Sequence, residues 1–84
     1  MYLAKINVTL RKSILDPQGK AVRHALESLE LTSVSEVRIG KFIELRLNVP
    51  DKQTAEKITK EACTKLLANP VMEDFAFTIE ETAG

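Results

Sequence analysis

The chain has 84 residues, with twelve Lys or Arg against twelve Asp or Glu, one His, one Cys and no Trp. That length accommodates one domain, residues 1–84, with a single small core. A formal net charge of zero argues against a nucleic-acid or anionic-membrane binder, whose footprint is a basic excess. One cysteine makes no internal disulfide, and no CxxC or Cys/His set stands at zinc-binding spacing.

The first residues alternate and carry a charge at Lys5, unlike the apolar core of a secretion signal. No apolar run approaches the ~18–20 residues of a membrane span, so a cytoplasmic location is expected. Tyr2, Ala4, Ile6, Val8 and Leu10 alternate with more polar neighbours and predict a half-buried strand. Asp16-Pro17-Gln18-Gly19 then reads as a helix start. A carboxylate at the N-cap accepts from unpaired amides, and proline at the first helical position lacks only a donor that has no partner there. In that helix Ala21, Val22, Ala25, Leu26 and Leu29 share a face.

Ser35, Val37 and Ile39 predict a second strand, and Ile43, Leu45, Leu47 and Val49 a third. Pro50-Asp51 opens another helix, along which Ala55, Ile58, Ala62 and Leu66 step by three and four. Asn69-Pro70 stops it, since asparagine tolerates a left-handed cap and proline cannot continue the helix. Phe75, Phe77 and Ile79 mark the last strand, and Thr82-Ala83-Gly84 reads as a frayed tail. The order β-α-β-β-α-β predicts an α+β, ferredoxin-like fold. Right-handed crossovers place two helices on one face of a four-stranded antiparallel sheet in order 4-1-3-2.

The central hairpin allows a sharper expectation. A two-residue Gly40-Lys41 turn pairs Val37 with Glu44 and so mixes the two faces. A shift of one residue pairs Ile39 with Ile43 and Val37 with Leu45 inside, and Arg38 with Glu44 and Glu36 with Arg46 outside. Opposite-charge pairs across strands contribute roughly 0.2–1 kcal/mol each, and a slip inverts a whole face. The expectation is therefore an odd-length loop or bulge at Gly40, with a positive φ that glycine tolerates.

No reactive constellation assembles from the sequence. His24 lies about 130° from the centre of its helix's apolar face, at ~100° per residue, and reads as a solvated surface residue. Cys63 flanks an apolar stripe, where a lone cysteine acts as a small hydrophobe. Glu56/Lys60 and Glu61/Lys65 stand four apart with the acid first, as helix-supporting pairs do. Other uses of this fold need residues that are missing. An RNA-recognition sheet stacks bases on outward aromatics, whereas the outward positions here are Lys5, Asn7, Thr9, Glu44 and Arg46. Arg11-Lys12-Ser13-Ile14-Leu15 is basic but lacks the glycines of a phosphate cradle. A stand-alone regulatory or small-ligand-binding domain, reading its ligand through backbone, remains the alternative function.

Three loops carry a resemblance when taken together. They are the Asp16-Pro17-Gln18-Gly19 helix start, the Val37-Arg38-Ile39-Gly40-Lys41 hairpin and the Leu67-Ala68-Asn69-Pro70 stop. With them the chain resembles, from its first strand to about Ile79, the PurS family. These are the small subunits of the multi-subunit phosphoribosylformylglycinamidine synthase of purine (IMP) biosynthesis. One departure is Glu30, where family members often carry a glycine after the first helix.

The resemblance implies a subunit without catalytic, cofactor-binding or metal-binding residues of its own, inside an ATP-dependent glutamine amidotransferase ligase. ATP with Mg and glutamine are used by the partners, a large synthetase subunit (PurL) and a glutaminase subunit (PurQ). The small subunit, a homodimer or dimer of dimers, docks the two and supports ammonia transfer between them. Neither nucleic acid nor membrane is an expected partner. Arg38, Lys41, Asn69 and Pro70 are the expected interface residues, and Asp16, Pro17, Gly19 and Gly40 the structural turn and cap residues. The polar outer sheet face, with Leu3 and Val34 amid Lys5, Glu36, Arg38, Glu44 and Arg46, is a further candidate contact area.

Overall fold

A computed structural model describes residues 1–83; the expectation for Gly84 in the tail lies outside the described residues. Strand β1 spans Tyr2–Leu10, helix α1 Pro17–Ser28, strand β2 Gly40–Leu47, helix α2 Lys52–Ala62 and strand β3 Glu73–Glu81. The sheet has three antiparallel strands in the order β2-β1-β3. These are the first, third and fourth of the expected strands, in the expected neighbour relations. Among the described residues the second is absent, and with it the hairpin.

Alternation on β1 sets the register and the core. Tyr2, Ala4, Ile6 and Val8 point to one face, opposite Leu47, Leu45, Ile43 and Lys41 on β2. On β3 the same positions face Glu81, Ile79, Phe77 and Phe75. Ala4, Ile6 and Val8 are fully buried beneath α2, and Phe75 stacks on Phe77 with ring centroids 6.3 Å apart. Lys5 on the outer face lies opposite Glu44 and ion-pairs with Glu80 at 3.2 Å. Phe42, opposite Asn7, is an outward aromatic that the sequence reading passed over. Within the expected tail, the Thr82 amide and hydroxyl both donate to the Met1 carbonyl, at 2.8 and 3.2 Å.

The buried face of α2 departs from the expected stripe. Ala55, Thr59 and Cys63, at four-residue steps, are the fully buried positions, while Leu66 is 81% exposed. Ile58 also faces largely outward. The helix ends in one π-helical turn, Cys63–Leu67, whose extra residue turns Ala68 back into the core. The Thr59 hydroxyl is buried without a hydrogen-bond partner, a polar group that the core holds at a cost. Asp51 caps α2 as expected, accepting from the Thr54 amide at 2.7 Å, and this bond holds its carboxyl below the usual value. Lys65 meets Glu61 at 2.6 Å, the acid-first pair read from the sequence.

Helix α1 makes no extensive contact with the sheet among the described residues. The helix that packs against it is α2, along β1 and β3. Ala21, Val22, Ala25 and Leu29 of the expected core face are exposed, Leu29 at 69%. The expectation of two helices on one sheet face therefore holds for α2 alone in this chain. What positions α1 instead is its N-terminus. Asp16 is the N-cap and accepts from the Gly19 amide at 3.0 Å, with Pro17 in the first turn as expected. Its other oxygen accepts from the Ile39 amide at 2.7 Å, which straps the segment before β2 to the helix start.

That strap explains the missing strand. The Ile39 amide is taken by Asp16, and the Val37 carbonyl lies against Gly19, where a Cβ would come within 2.0 Å of it. Val34 likewise accepts from Arg23 Nε at 3.4 Å. Residues 33–39 thus lend their backbone to α1 rather than to β2, and none of the four expected cross-strand pairs forms. Arg38 meets Glu36 at 3.9 Å rather than Glu44. Gly40 opens β2 without a positive φ; a Cβ there would meet the Val8 carbonyl at 2.6 Å, so close approach is what requires glycine. A positive φ occurs instead at Glu30, 65°, the residue after the α1 C-cap. Amides of Glu30 and Leu31 reach back to Glu27 and Leu26, both at 2.9 Å, closing the helix as a glycine would.

Candidate partner interface

In an antiparallel sheet the end of β1 adjoins the starts of β2 and β3, so residues distant in sequence meet there. All four expected interface residues lie at this corner. Arg38 donates through Nη2 to the carbonyls of Arg11 and Ile14, at 2.9 and 2.8 Å. Lys41 Nζ donates to the Leu67 carbonyl at 3.3 Å and lies 3.8 Å from Glu73. Asn69 shapes the turn before β3, its side-chain oxygen accepting from the Val71 amide at 2.9 Å and its carbonyl from Glu73 at 2.7 Å. The Pro70 carbonyl accepts from Arg11 Nη2 at 2.6 Å.

Arg11 and Glu73 complete the corner and were not among the expected interface residues. Arg11 also pairs with Asp74 at 3.4 Å, and Glu73 accepts from the Asn69 amide at 2.8 Å. Their signal was their place at two strand ends that meet only once the register is known. The cations are thus spent largely on loop carbonyls, and latch the 11–15, 37–41 and 66–73 segments together. Around the latch, Leu15, Leu66, Val71 and Met72 are exposed. An apolar rim beside a polar, hydrogen-bonded centre can seat another protein surface. Of the second contact area, Leu3, Lys5, Glu44 and Arg46 stand on the outer sheet face, but Glu36, Arg38 and Val34 lie off the sheet with the strap.

The strap and the latch share electrostatics. Amides of Ile39 and Gly19 hold the Asp16 carboxyl below the usual Asp value, with Arg38 adding to the effect against burial. Asp16 itself is 4% exposed. His24 is exposed on α1, as expected. Cys63 is buried against the sheet, and burial pushes its thiol up, away from the thiolate a nucleophile needs. Among the described residues no three His, Cys, Asp or Glu side chains gather as metal ligands.

Two helices, an antiparallel sheet and a loop-built corner define an α+β protein of the general kind expected from the sequence. A family profile described as PurS, phosphoribosylformylglycinamidine (FGAM) synthase, matches residues 3–81, and the chain belongs to that family. It is 48% identical over 84 residues to the phosphoribosylformylglycinamidine synthase subunit PurS of Bacillus subtilis, covering all of this chain and 99% of the relative. A solved structure of B. subtilis PurS superposes with a TM-score of 0.87 at 48% identity, covering 96% and 100% of the two chains. A chain of the Thermotoga maritima PurLQS structure superposes at 0.86 with 32% identity, covering 94% and 96%. The chain is a subunit of FGAM synthase, the ligase of purine biosynthesis, rather than a stand-alone regulatory domain.

Proposed function

We propose that this subunit works by docking. It holds the glutaminase subunit (PurQ) against the ATP-dependent synthetase subunit (PurL), in the cytoplasm, as a homodimer or dimer of dimers. Together the three convert formylglycinamide ribonucleotide, glutamine, ATP and water to formylglycinamidine ribonucleotide, glutamate, ADP and phosphate. ATP with Mg and glutamine are bound by the partners, and this chain holds no cofactor. Ammonia freed into bulk water is diluted and protonated, so a subunit that keeps donor and acceptor sites in register raises the yield of transfer.

The observation that carries this reading is the likeness, along nearly the whole chain, to a PurS chain solved within PurLQS. The corner of Arg38, Lys41, Asn69 and Pro70 supports it by offering a preshaped surface, since its loops are already fixed by internal hydrogen bonds. The test is reconstitution. Glutamine-dependent synthesis by the two partner subunits is expected to require this chain, while synthesis from added ammonia proceeds without it. A full glutamine-dependent rate from the pair alone overturns the reading.

A further inference from the structure

The last turn of α2 offers two ways to bury its leucines. The buried stripe of the helix, Ala55, Thr59 and Cys63, is centred on Thr59. In an unbroken α-helix, at ~100° per residue, Leu66 falls about 20° from that centre and Leu67 about 80°. The π turn makes the other choice. Leu66 is left open to solvent, Leu67 packs on the core and Ala68 is buried. The Ala68 amide reaches back five residues to the Cys63 carbonyl, at 3.0 Å.

Room for the α register is present. A cavity of about 170 Å³ lies beside the turn, lined by Cys63, Thr64, Ala68, Pro70 and Phe75. A space of about 150 Å³ holds a benzene ring, so a leucine side chain fits. In the α register Leu66 takes the core seat that Leu67 now holds. Leu67 turns toward Cys63 and Thr64, and so into the cavity. Ala68, about 180° from the stripe centre at ~100° per residue, turns outward. What opposes this is the corner. The Leu67 carbonyl accepts from Lys41, the Asn69 amide donates to the Glu73 carboxylate, and the Asn69 carbonyl accepts from the Glu73 amide. Turning the helix end by about 100° breaks all three. Pro70 bars the helix from running further, which confines the change to residues 63–69. Burial of two leucines and the bonds of the corner thus compete over one short segment.

We infer that the end of α2 is a two-register device. In the π register the corner is latched and Leu66 is presented outward. In a minor α register Leu66 is buried and the latch is open. Packed segments switch between discrete arrangements rather than deform smoothly, and a minor state of this kind is populated at about 0.1–10%. The device belongs to the free chain and is independent of the docking reading. Its consequence is linkage: a surface that seats on the latched corner binds one register alone and draws the population to it.

Amide hydrogen exchange in the isolated chain tests it, because the α register frees the amides of Asn69 and Glu73. Leu66→Ala removes a side chain that is open in the π register and buried only in the α register. It is expected to slow exchange at those two amides about tenfold, the reverse of what loss of an idle surface leucine does. Ala68→Ser puts a hydroxyl where only the π register buries a methyl. It is expected to speed exchange at the same amides and to bring the Leu66 methyls into NOE contact with Val8 or Phe75. An unchanged or faster rate in Leu66→Ala overturns the device. So does a folded Ala68→Ser variant whose Leu66 methyls stay clear of the core. If Ala68→Ser does not fold, the Leu66→Ala rates decide alone.

Discussion

Between β1 and α2, side chains meet without water: Ile6, Val8, Thr59 and Cys63 are wholly buried. Around α1 the arrangement is reversed. Leu15 and Leu29 lie open, while a carboxylate, two amides and a close glycine–carbonyl contact fix the helix start. The first region is held by burial, which is strong and indifferent to direction. The second is held by hydrogen bonds, which are weaker in net terms but set an angle. A small chain can thus aim an apolar helix away from its own core, provided that polar groups do the aiming.

This contrast can be broken from either side. Ile6→Ala removes three of the four carbons of a buried aliphatic side chain and is expected to cost about 3 kcal/mol. That lowers the thermal midpoint by roughly 10–20 °C for a domain of this size. Gly19→Ala places a Cβ against the Val37 carbonyl and is expected to cost about 2 kcal/mol through local displacement. Hydrogen exchange separates the two: the Ile39 amide loses protection in Gly19→Ala while the β1 amides keep theirs.

Smaller effects sharpen the contrast. Glu30→Gly relieves a left-handed backbone at φ 65° and is expected to gain about 1 kcal/mol. The gain appears as about fivefold slower exchange at the Leu31 amide, with the core unchanged. Acid acts on the strap through Asp16, whose folded carboxyl sits below its ordinary 3.8. Its stabilisation is complete above that value and is lost as pH falls through the lower folded one. Amide exchange at Ile39 is therefore expected to accelerate in acid, corrected for intrinsic rates, and Asp16→Asn to abolish that dependence.

Alternation made the faces of β1, β2 and β3 readable. At the α2 end the cap is Ala68 in extended backbone and not a left-handed Asn69, but Asp16 and Asp51 marked helix starts by chemistry that acts over a few residues. The absent strand was unreadable for the same reason. Val37 and Ile39 alternate as a strand does, yet period specifies a face and not a partner, and a carboxylate 23 residues away claims the Ile39 amide. On α2, the polar Thr59 hid the centre of the buried stripe, and nothing in Cys63–Leu67 announces a π turn. At the corner, Arg38, Lys41, Asn69 and Pro70 were read as exposed turn residues, though Lys41 falls within β2 and Arg38 is half-buried. Their convergence depended on a register that only the folded sheet provides.

The register has a consequence for how the chain comes off the ribosome. Strand β1, made before β2 and β3, is the middle of the sheet, and its core-side partners Phe75, Phe77 and Ile79 belong to β3, the last of the three to be made. Pairing Tyr2 with Glu81 spans almost the whole chain, a long loop to close before any reward in contacts. Ile6 and Val8 therefore have no complete shelter until β3 has been made. During that interval the nascent segment is a natural client for whatever shields apolar strands at the exit tunnel.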